Sequence, residues 1–470
     1  MHVNPVNLAR LTALYEEHIV DLTRRYAGAL EKSGFDAVAI HSGSLKKRSE
    51  FDDQYWPLRA TPHFQHWAPL AEPDCALVFT PGARPVLART KSTSFWEKPA
   101  PPETNHWEPS FEIVMIDEPE DVKRHLPTST RLAFVGEDLA RASSWGIAEG
   151  SRNPPALVRA LDALRTTKTA YEVLCLEEAN RRAALGHDAV RAAFVGGTES
   201  ELALHLRYLA ATAQDDPETP YKNIVALGAN ASTLHHVSYV KRARASGSSE
   251  PESLLLDAGA AYQGYCSDVT RTWVRGSGAT AAAFGALVQG VEALQQRLCA
   301  AVTLGAPYEA LHDESHRQVA AVLRDVGVAK ASHVSVEQIV ESGISRAFFP
   351  HGLGHSLGLQ CHDVGCADTK PRADNPFLRN TSRIAEGQVF TIEPGIYFID
   401  GLLAPLRDGP HAAAIDWDLV GALAKLGGVR IEDDLVVVAG DGAAPSASKR
   451  ASARNLTREH LPLGGGAAQT

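Results

Sequence analysis

The stretch Leu254–Trp273, LLLDAGAAYQGYCSDVTRTW, predicts two strands joined by a short turn. An apolar run ends at Asp257, and a run rich in β-forming residues begins at Asp268. If the strands pair symmetrically about Tyr262 and Gln263, the two aspartates become cross-strand neighbours with Cβ atoms about 5 Å apart. Like charges at that separation repel each other, so the sequence predicts a cationic group between them.

Two divalent metal ions roughly 3.5–4 Å apart would account for carboxylates held this closely. On the hairpin alone, the alternative stays open that each aspartate only ends a strand or caps a turn. Three further stretches supply metal-binding residue types: HGLGHSLGLQCHD at 351–363 with His351, His355 and His362, TIEPGIY at 391–397 with Glu393, and GGVRIEDD at 427–434 with Glu432. One histidine and four carboxylates form an oxygen-rich site, which favours manganese or a similar ion over structural zinc.

Length and composition limit the possible classes of protein. A chain of 470 residues with 44% hydrophobic residues predicts two or three domains. A formal charge of −10 without a basic block argues against a nucleic-acid partner. No apolar run reaches the roughly 18 residues that span a bilayer, and the N-terminus is charged where a secretory signal needs an apolar stretch. We therefore expect a cytoplasmic protein without membrane contact.

The six cysteines form no paired motif, which is consistent with a reducing compartment. Cys361 and Cys366 lie near the histidine cluster. Their spacing matches neither a zinc ribbon nor a redox motif, so we interpret them as small packing residues.

Secondary-structure patterns predict two domains and a tail. Residues 1–165 combine an amphipathic helix over 8–33 with short β-like runs, which indicates an α/β domain. Residues 166–440 mix antiparallel strand pairs with helices and indicate an α+β domain. The tail at 441–470 is rich in alanine, glycine and serine, and we expect it to be partly mobile.

Four phrases carry a resemblance to a known family. DAGAAYQGYCSDVTRTW, HGLGHSLGLQCHD, TIEPGIYF and GGVRIEDD resemble the metal-dependent pita-bread peptidases, and within them the bacterial prolidases, which are Xaa-Pro dipeptidases. The similarity runs from near residue 10 to the LTR sequence at 456–458, and it includes FDD at 51–53 and PYKNIVALGANASTLHH at 220–236. It implies an α/β N-terminal domain for dimerisation and site closure, followed by an α+β pita-bread (creatinase/aminopeptidase-like) catalytic domain.

The resemblance also implies a role for each residue of the site. The ligands of two divalent ions, manganese in our prediction, are Asp257, Asp268, His355, Glu393 and Glu432. The catalytic residues are Glu393, His351, His362 and His235, and the substrate-binding residues are Arg379, Arg430, Tyr221, Asp53 and Tyr308. The chain departs from the family at 228–232, which lacks a common acidic residue, and at Cys366, which replaces a usual glycine. Both departures concern the shape of the substrate pocket more than the metal site.

The reaction that the resemblance implies is metal-assisted hydrolysis of the peptide bond before proline. The ions make hydroxide available near neutral pH and polarise the scissile carbonyl. Glu393 would carry a proton from water to the leaving nitrogen, and His351 and His362 would stabilise the oxyanion. We expect a homodimer in which the loop that carries Asp53 closes the neighbouring subunit's site and Asp53 binds the substrate's amino group.

Two alternatives stay open from the sequence. Relatives of prolidase hydrolyse organophosphorus triesters with the same metals and pocket, so this reaction is a possible main or side activity. Pita-bread domains also occur as non-enzymatic binding modules, but those modules lose the metal ligands, and all five are present here.

Overall fold

The structure, a computed structural model, describes residues 6–91, 96, 101–128, 131–243, 250–367, 369–439 and 452–467. The chain forms two compact units, Met1–Cys175 and Leu176–Thr470, here called the N-terminal and the C-terminal unit. The boundary predicted near residue 165 lies on the N-terminal side of this division. Among the described residues, no helix is long and apolar enough to cross a membrane.

The N-terminal unit contains one five-stranded sheet with the strand order β4-β3-β2-β1-β5. Its strands are β1 (Ala37–His41), β2 (Ala76–Phe79), β3 (Val86–Thr90), β4 (Glu112–Ile116) and β5 (Leu132–Val135), and its helices are α1 (Leu8–Ser33), α2 (Pro62–Gln65), α3 (Leu139–Ser144) and α4 (Pro155–Leu164). β3–β4 and β1–β5 are parallel pairs, and the other two pairs are antiparallel. The predicted α/β class and the helix over 8–33 are confirmed.

Helix α5 (Ala170–Gly196) crosses the division between the units. The C-terminal unit adds helices α6 (Glu201–Thr212), α7 (Ala279–Ala300), α8 (Tyr308–Asp325), α9 (Val336–Glu341), α10 (Ile344–Phe348), α11 (Asp400–Arg407) and α12 (Trp417–Ala424). Its strands are β6 (Ile224–Leu227), β7 (Glu252–Asp257), β8 (Ala261–Tyr262), β9 (Tyr265–Cys266), β10 (Thr270–Arg275), β11 (Val389–Ile392), β12 (Gly395–Ile396), β13 (Val429–Arg430), β14 (Asp433–Val438), β15 (Ser452–Asn455) and β16 (Gly465–Ala467).

These strands form two larger sheets, β16-β10-β7-β6 and β11-β14-β15, and two short pairs, β12-β13 and β8-β9. Apolar side chains of α7 and α8 pack with the β11 and β14 side chains in one core, for example Phe284, Leu323 and Phe390, all without exposed surface. Burial of side chains of this size contributes about 1.5–3 kcal/mol each. Sheets with mainly antiparallel pairs beside helices confirm the predicted α+β class of this unit.

The register of the central hairpin differs from the prediction. β7 pairs with β10 so that Asp257 lies opposite Thr270, and not opposite Asp268. The turn residues Gln263 and Gly264 have φ of 51° and 86°, and a two-residue turn with positive φ at both positions matches the twist of the strands it joins. The pairing is therefore centred one residue further along the chain, and Asp268 lies in the segment before β10.

The C-terminal residues form two strands that the sequence did not predict. β15 pairs with β14, and β16 pairs in parallel with β10. A Cβ atom at Gly465 would lie 2.1 Å from the carbonyl oxygen of Thr272, so a glycine that resembles linker sequence is required for the close approach of two strands. The predicted mobile tail is thus partly a structural element, and 440–451 and 468–470 lie outside the described residues.

Candidate metal centre and active site

Five elements of the C-terminal unit bring the predicted metal ligands together. Asp257 ends β7, Asp268 lies just before β10, Glu393 follows β11, and Glu432 lies between β13 and β14, while His355 stands in the glycine-rich segment before β11. Main-chain bonds fix this arrangement: the Glu432 N–H donates to the Thr270 carbonyl at 3.1 Å, and the Thr391 N–H donates to the His355 carbonyl at 3.0 Å.

The imidazole of His355 lies among the carboxylates. Its Nε2 atom is 3.3 Å from Asp268 Oδ2, 3.7 Å from Glu393 Oε1 and 4.0 Å from Glu432 Oε1. Ligand atoms of Asp268, His355 and Glu432 all lie within 4.8 Å of one another, and all three residues are buried. Side chains far apart in the sequence therefore converge on one small volume.

Asp257 completes the cluster, and only one of its two carboxylate oxygens accepts a hydrogen bond from the described residues. Its Oδ2 accepts from Arg430 Nη2 at 2.5 Å. Its buried Oδ1 has no hydrogen-bond partner within the described parts of the chain. An unsatisfied buried carboxylate oxygen costs free energy, and a cation bound there would remove that cost.

Burial and the contact with His355 shift the pKa values of the cluster in different directions. Burial raises the pKa of Glu393 to about 7 and that of Glu432 well above its ordinary value. Burial also disfavours ionisation of Asp268, but its contact with His355 outweighs that effect and lowers the pKa of Asp268 to about 2. Burial opposes the charge of His355, yet the same contact raises its pKa to about 9. Charged carboxylates at Glu393 and Glu432 are therefore costly in the protein without a cation.

The donor set fits divalent cations. Four carboxylates, which are hard oxygen ligands, outnumber the one imidazole, and a donor set of this composition suits manganese and similar ions. The negative charges of the four carboxylates would roughly balance two dications. A cation would also stabilise two groups of the cluster: the Oδ1 of Asp257, which accepts no hydrogen bond from the described residues, and the buried Glu432, whose pKa is raised.

A glycine allows the histidine segment to approach the strand that carries Glu393. A Cβ atom at Gly354 would lie 2.1 Å from the carbonyl oxygen of Thr391 and 2.4 Å from the hydroxyl of Tyr308. Tyr308 donates its hydroxyl to that same Thr391 carbonyl at 2.7 Å and is completely buried. Tyr308 is not among the residues that line the cavity. The structure shows it in a supporting contact, and its substrate contact stays a prediction.

A cavity of 770 Å³ opens over the cluster. Besides the five predicted ligands, its lining includes the predicted residues Tyr221, His235, His351, His362, Arg379 and Arg430. Apolar side chains, among them Ile224, Leu234 and Phe377, supply the rest of one wall. The mixture of apolar surface with a few convergent polar groups is typical of a small-molecule binding site.

His351 and Arg430 line the cavity and also bind other protein groups. His351 Nδ1 donates to the Gly352 carbonyl at 2.8 Å, and Nε2 accepts from the Tyr397 hydroxyl at 2.8 Å. Burial, followed by the charge of Arg430, lowers the pKa of His351 to about 3. In this structure both ring nitrogens of His351 are therefore engaged by Gly352 and Tyr397, and the oxyanion role of this residue stays a prediction.

Arg430 donates hydrogen bonds to other protein groups in the same network. Its Nη1 donates to the Tyr397 hydroxyl at 3.0 Å, and Nε donates to Thr270 Oγ1 at 3.2 Å, in addition to the bond to Asp257. Arg430 thus orients Asp257, and Tyr397, which the sequence analysis missed, links it to His351. Only the contact distances reveal this role.

His362 and Arg379 have solvent-accessible surface within the cavity lining. Partial desolvation of the ring, followed by the charge of His355, lowers the pKa of His362 to about 4. The charge of Arg379 also contributes to this lowering. A neutral imidazole beside a guanidinium can donate to a negatively charged substrate group.

Asp53 lies in the N-terminal unit, where it is exposed and accepts a hydrogen bond from the Gln54 side chain at 3.1 Å. Tyr221 lies in the C-terminal unit, where burial, followed by the charges of Asp257 and Asp268, raises its pKa.

A buried carboxylate that the sequence analysis missed organises the loop with His235. Glu201, at the start of α6, accepts from the Leu227 N–H at 2.9 Å, Asn230 Nδ2 at 2.8 Å, His236 Nε2 at 2.8 Å and the Val240 N–H at 2.7 Å. Four donors on one carboxylate fix a loop that otherwise has little regular structure. A glutamate in the first turn of a helix is so common that the sequence gives no signal of this role.

Comparisons with known proteins match almost the whole chain. Residues 174–439 match the model of metallopeptidase family M24, and residues 13–163 match that of the Xaa-Pro dipeptidase N-terminal domain. An Xaa-Pro dipeptidase of Marinobacter nauticus is 41% identical over 450 residues, which cover 95% of this chain and 98% of the relative. An Xaa-Pro dipeptidase of Pseudoalteromonas atlantica is 38% identical over 439 residues, with 92% and 97% covered.

Solved structures give the same fold at lower identity. Pseudomonas aeruginosa aminopeptidase PepP superimposes with a TM-score of 0.69 at 22% identity, covering 94% of this chain and 95% of the other. Zinc-substituted Escherichia coli aminopeptidase P gives a TM-score of 0.68 at 19% identity, with 94% and 95% covered.

Proposed function

The chain belongs to metallopeptidase family M24, and from this membership we propose that it is an Xaa-Pro dipeptidase with a centre for two divalent metal ions. The observation that carries the proposal is the convergence of Asp268, His355 and Glu432 within 4.8 Å, beneath a cavity. The names of the relatives, similar over their full length, support the same reaction.

Asp257, Asp268, His355, Glu393 and Glu432 would hold the ions, and manganese suits so many oxygen donors. When bound, the ions supply Lewis acidity, which polarises the scissile carbonyl and makes hydroxide available near neutral pH. Glu393 lines the cavity beside the other predicted ligands. Its carboxylate would take a proton from water and return it to the leaving nitrogen of proline.

Arg379 and His362 would recognise the proline end of the substrate. A guanidinium forms charge-assisted hydrogen bonds with a carboxylate, and both residues lie in the cavity lining. His362 would stabilise the oxyanion, and His351 would take part in this role only if its N–H left the Gly352 carbonyl.

The two alternative functions differ from this proposal in what they need from the cavity. A non-enzymatic binding module would not need buried carboxylates that require a cation, so their presence favours an enzyme. Organophosphorus triesters could occupy the same cavity but lack a carboxylate, so they would make no use of Arg379. We therefore do not propose triester hydrolysis as the main activity.

The test compares hydrolysis of an Xaa-Pro dipeptide, an Xaa-Ala dipeptide and a longer peptide that begins with Xaa-Pro, for the wild type and Arg379→Ala. We expect the wild type to release proline from the first substrate alone. Arg379→Ala should raise KM for the dipeptide by about 10–100-fold, because a charge-assisted hydrogen bond is worth roughly 1.5–3 kcal/mol.

Arg383→Ala is the matched control, since that exposed arginine donates to the Gly305 carbonyl and does not line the cavity. Cleavage of the longer peptide at a rate equal to that of the dipeptide would point to an aminopeptidase and overturn the proposal. An equal loss of triester and dipeptide hydrolysis in Arg379→Ala would show that the residue is structural.

A further inference from the structure

Cys361 brings a thiol to the edge of the metal centre. Its Sγ atom donates to Asp268 Oδ2 at 3.0 Å, and the side chain is half-buried in the cavity lining. The sequence spacing indicated a packing residue, but packing does not require a thiol in contact with a metal-binding carboxylate. The role of Cys361 therefore has to be inferred from the groups around it.

Ligand atoms of His355, Cys361 and His362 all lie within 4.8 Å of one another. The two imidazole rings meet edge to face with centroids 4.4 Å apart. A tetrahedral zinc ion with bonds of about 2.0–2.3 Å spaces its ligand atoms roughly 3.3–3.8 Å apart. Small side-chain rotations would therefore close these three donors around one ion, with a fourth coordination position towards the cavity.

This set of donors prefers different metals from the carboxylate cluster. One thiolate and two imidazoles are softer ligands, and they select zinc, cadmium and other thiophilic ions over manganese. His355 belongs to both sets. Its Nδ1 lies 3.1 Å from the Ser356 carbonyl oxygen, so Nε2 is the atom available to a metal ion. Because Nε2 has one lone pair, His355 can bind an ion in only one of the two sets at a time.

We propose that His355, Cys361 and His362 form a second site, for a thiophilic divalent cation such as Zn²⁺ or Cd²⁺, and that occupation of this site removes His355 from the carboxylate cluster and inhibits the enzyme. As the ion binds, the Cys361 proton passes to the buffer and Asp268 loses the thiol contact. The site itself follows from the geometry, whereas the inhibition rests on the proposed function.

The test is a titration of metal-free, full-length protein with Cd²⁺. Two quantities are measured: the thiolate-to-cadmium charge-transfer absorption, and the cadmium content of the protein after desalting. We expect a saturable absorption band that is lost in Cys361→Ser. Cys361→Val is measured in parallel, and thermal unfolding of both variants shows that they are folded. Cys266→Ser should keep the band, because that buried thiol contacts the Leu359 carbonyl of the same loop but lies outside the donor group.

A second arm measures proline release by manganese-loaded protein as Cd²⁺ is added, expressed as a ratio to each variant's own rate without Cd²⁺. Inhibition of Cys361→Ser should need about tenfold more Cd²⁺ or higher, as expected for loss of a ligand. A band of equal size in wild type and Cys361→Ser, or none in the wild type, would overturn the second site. A Cys361-dependent band in a protein that releases no proline would instead leave the site intact and refute the proposed function.

Discussion

Arg430 shows how one buried side chain can serve the metal site without touching a metal. Its guanidinium binds Asp257, Tyr397 and Thr270, and both members of the Arg430–Asp257 ion pair are largely buried. In the absence of a cation, this arginine is the main positive charge beside Asp257. A dication bound at the cluster would take over part of that role.

We predict that Arg430→Met destabilises the metal-free protein by about 3–5 kcal/mol, because it leaves a buried carboxylate without its partner. With manganese bound the loss should be clearly smaller. Denaturant unfolding with and without the metal measures the difference. Arg275→Met, which removes an arginine paired with Glu252 outside the cavity, should cost the same under both conditions. A loss from Arg430→Met that manganese does not reduce would contradict this account.

At the residue scale, the sequence predicts which side chains converge on the candidate metal centre but not the partners that these side chains bind. Asp257, Asp268 and Glu393 stand at strand ends beside turns, which is a local pattern. The bond between His351 and Tyr397 joins residues 46 apart, and the contact of Cys361 with Asp268 joins residues 93 apart. Contacts between residues so far apart in the sequence depend on packing of the whole unit, so no local sequence pattern predicts them.

At the scale of elements, the first turn of α6 controls the loop that carries His235. Glu201 accepts two main-chain and two side-chain donors from residues 227–240. A hydrogen bond to a charged group is worth about 1.5–3 kcal/mol. The loop is therefore held mainly by one carboxylate.

Glu201→Gln should lower the free energy of unfolding by about 1–3 kcal/mol and raise KM for the dipeptide, because an amide nitrogen cannot accept the His236 and Val240 hydrogen bonds. Steady-state kinetics and denaturant unfolding measure both effects. Glu199→Gln serves as the control, since Glu199 pairs with Arg207 near the same turn and should leave KM unchanged. An unchanged KM in Glu201→Gln would show that the loop does not depend on this carboxylate.

The hairpin also shows where element prediction stops. The strands β7 and β10 follow from apolar and β-branched runs, whereas their register depends on which two residues take positive φ. Gln263 and Gly264 do so, and a glutamine gives little sign of that conformation. A one-residue shift of the turn moved Thr270 into the place predicted for Asp268, yet both aspartates still reach the site.

At the scale of the whole molecule, the C-terminal segment completes the sheets behind the site. The side chains of Asn455 and Arg458 donate to Asp433, and Thr457 accepts from the Asp434 N–H. These residues hold the strand that follows Glu432. Composition alone indicated a mobile tail, because a parallel strand that requires glycine has the same residue content as a linker.

The proposed homodimer makes a prediction for the whole assembly. If Asp53 of one copy binds the substrate amino group in the site of its neighbour, then Asp53→Ala and Asp257→Ala proteins should each be inactive, and their mixture should regain up to one intact site per mixed dimer. Proline release after verified subunit exchange measures the recovery. Mixed dimers without activity would exclude the shared site, and unchanged kinetics in Asp53→Ala would exclude the residue.

We infer that the five converging side chains form a two-ion centre on which hydrolysis depends. Titration of metal-free protein with Mn²⁺ tests this inference when proline release from an Xaa-Pro dipeptide is measured as a function of ions bound per chain. We expect no release without metal and a plateau at two bound ions, with neither binding nor release in Asp268→Asn. Full activity at one ion per chain, or release by the metal-free protein, would contradict it.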